Sequence, residues 1–88
     1  MRDQQTNNDE ALALSALGWA LTDDMRAARF LALTGLTPDA LRGGLGKRST
    51  LAAVLRFLEA HEPDLIACAA AIGADPADLP ETRRRLEG

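Results

Sequence analysis

Two stretches of this chain stop one helix and start another in the same way: Gly35-Leu36-Thr37-Pro38-Asp39-Ala40-Leu41 and Gly73-Ala74-Asp75-Pro76-Ala77-Asp78-Leu79. A glycine just past a helix accepts the left-handed conformation that closes its last turn. Thr37 or Asp75 then offers a side-chain oxygen to the next free amides, and the proline after it occupies the first helical position, where no amide hydrogen is needed. No segment alternates apolar and polar residues with the period of two that a half-buried strand requires. The chain is rich in alanine and leucine, which favour helix. These signals predict an all-α fold.

The remaining punctuation predicts five or six helices packed as one compact bundle. Residues 1–8 read as a flexible N-terminal tail, and residues 9–88 as a single helical domain near the lower size limit for an independent core. A first helix is expected from about Asp9 to Leu21, with Asn8 or Asp9 as its cap. Thr22 is expected to cap the second helix, which stops at Gly35, and a short helix follows to about Arg42. Ser49 or Thr50 is expected to cap a fourth helix ending near His61, and Pro63 opens a fifth that closes at Gly73. Pro80-Glu81 begins a last, fraying turn through Arg83, Arg84 and Arg85.

The shift that carries Gly35 onto Gly73 also superposes Trp19 on Phe57 and Asp24 on Glu62. Two similar halves, each a long helix, a second long helix and a short one, would explain this. Neither half could bury its apolar face alone, so the two would pack about a pseudo-twofold. The alternative is that Gly-x-Thr/Asp-Pro is simply how helices stop and restart, used twice.

Composition excludes more than it assigns. One cysteine, Cys68, is present. It permits no internal disulfide and no cysteine-based zinc cluster, and its apolar neighbours imply an inert core thiol. His61 is the only histidine and is expected at the carboxyl end of its helix. Asp23, Asp24, Glu62, Asp64, Asp75 and Asp78 all fall where helices begin, so capping explains them without acid–base chemistry. No uncharged apolar run approaches the roughly 18 residues of a membrane span. The expectation is a cytoplasmic protein that is not an enzyme and holds no cofactor or metal.

Gly43-Gly44-Leu45-Gly46-Lys47-Arg48-Ser49-Thr50 is the stretch most suggestive of a ligand. It fails as a phosphate loop: Arg48 stands where Ser or Thr should follow Gly-Lys, Leu41 where the first glycine should be, and no strand precedes it. Gly44-Leu45-Gly46 is similar to the turn of a helix-hairpin-helix, which offers amides to a nucleic-acid phosphate, with Lys47 and Arg48 beside a helix start. Arg42 and Arg83 to Arg85 would extend such a patch. The net charge of −3 opposes it, and an exposed connector with two solvating cations is the simpler reading.

The first helix carries apolar residues on two sides. Leu14, Leu17 and Leu21 form one face, and Leu12 and Trp19 lie nearly opposite, with Ser15 and Gly18 small enough to admit a neighbour. In the fourth helix Leu51, Val54, Leu55 and Leu58 form the core stripe, with Phe57 to one side. Leu12, Trp19 and Phe57 are therefore candidates for a partner face, against the plainer alternative of core burial. The alanine-rich run from Ala67 to Ala71 is expected to pack closely under whatever covers it.

Read together, ALALSALGWALTDD, RFLALTGLTPDALR, LAAVLRFLEAHEPDL and AAAIGADPADL resemble a family of short bacterial proteins classed as a domain of unknown function. The likeness spans roughly residues 10 to 80 and is most specific in RFLALTGLTPDALR and LAAVLRFLEAHE. It implies a compact helical cytoplasmic protein and brings no activity, ligand or catalytic residue. The family's polar, often Asp-Pro-containing connector is replaced here by Gly-Leu-Gly-Lys-Arg-Ser, a departure that weakens the case for a shared role of this loop. The sequence thus points to a non-catalytic protein-interaction module, with self-association one form of it. The rival is a weak nucleic-acid binder using Gly44, Gly46, Lys47 and Arg48.

Overall fold

Among the described residues six helices follow in the order α1 (Arg2–Ala20), α2 (Asp24–Thr34), α3 (Pro38–Gly43), α4 (Arg48–Glu59), α5 (Glu62–Ile72) and α6 (Asp78–Glu87). The computed structural model describes the backbone of residues 2–88 and side-chain surroundings from Asn8 onward. No strand occurs among the described residues. The radius of gyration is 12.0 Å. A single folded body of this length is expected to have that size.

The glycine stops behave as the sequence implies. Gly35 and Gly73 have φ of 73° and 74°. Gly35 donates its amide to the Leu31 carbonyl, and Gly73 donates its own to Ala69. Thr37 accepts the Ala40 amide at 3.0 Å, with Pro38 at the first position of α3. Asp75 accepts the Ala77 amide at 3.0 Å, while Asp78 accepts the amide of Asp75 at 3.1 Å. That second turn delays the start of α6 to Asp78, so Pro80 lies in its first turn. Under the shift that carries Gly35 onto Gly73, α2 and α5 coincide end to end.

Several boundaries differ from expectation, each for a tertiary or capping reason. The tail assigned to residues 1–8 lies partly outside the described residues, and from Arg2 the backbone is helical. Asn8 and Asp9 are thus interior to α1 rather than caps, and Asp9 is buried and paired with Arg85. Asp23, not Thr22, caps α2, accepting the Arg26 amide at 2.8 Å. Thr22 instead donates to the Trp19 carbonyl at 2.7 Å, closing the orphaned end of α1. Helix α4 begins at Arg48 with no side-chain cap, so neither Ser49 nor Thr50 serves as one. His61 stands just before α5 rather than within the end of α4.

Helix α4 is the central element. Leu51, Val54, Leu55 and Leu58 are fully buried, as their spacing predicts, and α1, α2, α5 and α6 all pack against this helix. The largest departure is α6. The predicted fraying turn is a ten-residue helix that buries Leu79, Thr82 and Leu86 along α4. Those three residues recur at i, i+3 and i+7, a core stripe that the arginine run between them disguises. Arg83 is not solvent decoration: it donates to Glu59 and Glu87, each at 2.6 Å.

On α1 the buried hydrophobic residues are Ala13, Ala16, Leu17 and Ala20, while Leu14 and, just past the end of the helix, Leu21 stay exposed. Small residues there let α1 approach its neighbours closely. Ser15 and Gly18, expected to admit another helix, face outward, and nothing lies within 4 Å of the Gly18 Cβ position.

Candidate functional site

The glycine loop joins α3 to α4. The Gly44 amide donates to Leu41 at 3.1 Å and the Lys47 amide to Gly44 at 2.9 Å, so these amides point into the turn and not toward a shared external phosphate. None of its glycines has positive φ. Gly44 is required by space: a Cβ there would stand 2.5 Å from the Thr50 hydroxyl oxygen and 3.2 Å from the Ala40 carbonyl oxygen. Gly46 is exposed and open.

The cations expected to surround that loop are engaged elsewhere. Arg48 reaches the Arg85 carbonyl at 2.5 Å, tying the start of α4 to the end of α6. Arg42 pairs with Asp39, Arg84 with Glu81, and Arg85 with Asp9. Hydrogen bonds to Glu59 and Glu87 push the Arg83 guanidinium above its ordinary pKa, and the Asp9 contact does the same for Arg85. No extended basic surface forms from Arg42, Arg48 and Arg83 to Arg85. Lys47 stands exposed beside the loop.

The aromatic candidates separate. Phe57 is 6 % exposed. It meets Phe30 edge to face, with centroids 5.3 Å apart and planes at 77°, a favoured geometry for two aromatic rings. It is a core residue, which corrects its assignment to a partner face: α2 lies over the side of α4 that the helical wheel leaves open. Leu12 and Trp19 are half-buried and packed against the same core. The outer side of Trp19 is covered by Arg26, whose guanidinium carbon lies 3.6 Å from the ring centroid, within reach of a cation–π attraction. Leu12, Trp19 and Phe57 therefore form no shared open surface.

Among the described residues the most exposed large apolar side chains lie on α2 and α5. Phe30 is the only buried residue of α2. On the opposite side stand Met25, Ala28, Arg29, Ala32 and Leu33, the i, i+3, i+4, i+7, i+8 pattern of one helical face. Met25 is 82 % and Leu33 70 % exposed. Helix α5 presents the equivalent positions: Pro63, Ile66, Ala67, Ala70 and Ala71, all exposed, with Ile66 at 49 %. Of the alanine-rich run expected to be covered, only Cys68 and Ala69 are buried. Arg29 of α2 forms an ion pair with Asp64 of α5, so the two faces belong to adjoining helices. The periodic signal for this surface was present in the sequence, but Phe30 and Leu31 mark a second apolar side on α2, and spacing alone does not rank the two.

A family model described as a protein of unknown function, DUF3572, matches residues 6–88. The chain belongs to the DUF3572 family. No curated protein and no solved structure matches it.

The DUF3572 chain shows no group of three or more His, Cys, Asp or Glu side chains placed to hold a metal among its described residues. No described helix is long and apolar enough to cross a membrane. Cys68 is fully buried, and desolvation pushes its thiol pKa up, with Arg26 opposing and Asp64 adding to the shift. An open depression of about 380 Å³ between α4 and α6 is lined by Ser49, Ala52, Ala53, Arg56, Leu86 and Glu87. Its two charged walls, Arg56 and Glu87, neutralise one another at 2.6 Å.

Proposed function

We propose that this chain is a non-catalytic helical module of the bacterial cytoplasm that binds protein through the outward faces of α2 and α5. The observation that carries this reading is the exposure of Met25 and Leu33 on a helix with one buried residue. Large apolar side chains left in water on a regular face mark interaction sites. Among the charges on this surface, Arg29 is already held by Asp64, so the surface favours an apolar partner over a phosphate or an acidic lipid. The chain is two copies of one helix–helix–helix unit, supported by the coincidence of α2 with α5 and of the two left-handed glycines. In that arrangement the two outward faces are equivalent parts of one binding surface.

The test is a pull-down of tagged protein from lysate of its own cell, divided into nuclease-treated and untreated halves, with Leu33→Glu run beside the natural chain. A specific protein retained after nuclease and lost with Leu33→Glu is the expected result. Material lost with nuclease but insensitive to Leu33→Glu would transfer the function to Lys47 and the glycine loop. Retention that ignores both treatments would sink the surface named here.

A further inference from the structure

We infer that the occupant of the α2–α5 surface is a second copy of this chain, with α2 of one protomer lying on α5 of its partner and the reverse contact made across a twofold axis. The inference rests on the reading of this surface as a protein-binding one and names its partner. The two faces differ in size. Helix α2 offers the long side chains Met25 and Leu33, whereas α5 offers Ile66 among the small residues Ala67, Ala70 and Ala71. Ridges on one helix fit the low ground on the other. Because both faces are on every copy, each α2–α5 contact generates its mate, and the assembly closes as a dimer.

Charge disfavours a contact of α2 with α2. Two α2 faces laid antiparallel about their centres would set Arg29 against Arg29. Across α2 and α5 the residue in the equivalent position is Ala67, and Arg29 keeps its own Asp64. The exposed carboxylates Asp24 and Glu62 stand in the first turns of α2 and α5; with the two helices antiparallel each meets the uncharged last turn of the other, so like charges are not opposed.

The area suffices, narrowly. Met25, Leu33 and Ile66 at their exposures, with Pro63 and the outward alanines, present roughly 600 Å² of apolar surface, the upper end for the largest patch on a monomer. Two copies bury about 1,200 Å², the lower edge of stable interfaces. Association in the micromolar range, Kd of about 1–100 μM, is the corresponding expectation.

Sedimentation equilibrium of the full chain from low to several hundred micromolar, with Cys68 kept reduced, tests this. A monomer–dimer equilibrium is expected, abolished by Ala32→Glu and by Ala67→Lys, and unaffected by Leu14→Glu on the exposed side of α1. Circular dichroism checks that each variant keeps its helix content. Mixing the Ala32→Glu and Ala67→Lys proteins should restore dimer, because their opposite charges meet only if α2 lies on α5 of the partner. Failure of the mixture to reassociate would overturn the cross-pairing. A natural chain that stays monomeric throughout overturns self-association, while the pull-down with Leu33→Glu still judges the surface itself. A dimer that ignores both substitutions would place the contact elsewhere.

Discussion

Arg26 stacks its guanidinium 3.6 Å from the Trp19 ring centroid and donates to the carbonyl oxygen of that same residue at 2.8 Å. Its Nε donates to the neighbouring Ala20 carbonyl at 3.2 Å. One side chain from the first turn of α2 thus covers the outer face of the tryptophan, bonds the Ala20 carbonyl, and adds a donor to the Trp19 carbonyl that Thr22 already engages at the end of α1.

Replacing Arg26 with alanine removes both roles. We expect a loss of about 1–2 kcal/mol of stability. Trp19 is the only tryptophan, so its fluorescence reports the site directly. Emission should shift to the red and acrylamide quenching should rise, while Arg29→Ala leaves both nearly unchanged. No spectral response to Arg26→Ala would mean the stacking does not persist in solution.

Phe57 distinguishes core from surface. Truncating a buried aromatic costs about 3–5 kcal/mol, a large share of the roughly 5–15 kcal/mol that holds a small domain together. Phe57→Ala should therefore lower the urea midpoint severely. Leu33→Ala, on an exposed face, should change stability by less than about 0.5 kcal/mol. Comparable effects from the two would contradict the burial pattern.

The glycine loop gives a paired prediction. Gly44→Ala drives a Cβ into Thr50 and should cost about 1–3 kcal/mol. Gly46→Ala enters open space without a left-handed backbone. It should be neutral or gain about 0.4–1 kcal/mol by restricting the unfolded chain. Equal penalties would show that the turn needs glycine for its backbone conformation after all.

Acid should loosen the seam between α4 and α6. Glu87 accepts from Arg56 and Arg83, and the Arg56 hydrogen bond leads in holding its pKa below the ordinary 4.5. A carboxylate with a lowered folded pKa binds fewer protons folded than unfolded. Its contribution is full above about pH 4.5 and is lost as the pH falls through the lowered value. The urea midpoint should fall over that window, and Glu87→Gln should flatten that part of the profile. An unchanged profile in Glu87→Gln would assign the acid response to other carboxylates.

What the sequence determined by itself was the part of the fold written in signals that act within a turn of helix. Gly35 and Gly73 end helices in the left-handed conformation, which glycine alone adopts at no steric cost. Thr37 caps because its hydroxyl reaches the amide of Ala40, the first turn's unpaired donor. The α4 stripe was legible for a related reason, since its four core positions face one way whatever packs against them. The tertiary structure decided which of two apolar sides each other helix buries. Phe57 went inside because α2 brings Phe30 over it, and Leu33 stayed outside because nothing in the described chain lies beyond α2. It also turned a run of arginines into a packed helix, through partners as remote as Asp9, 76 residues from Arg85. Local spacing fixes which residues share a face, but burial and charge pairing depend on what arrives from elsewhere in the chain, and no periodicity encodes that.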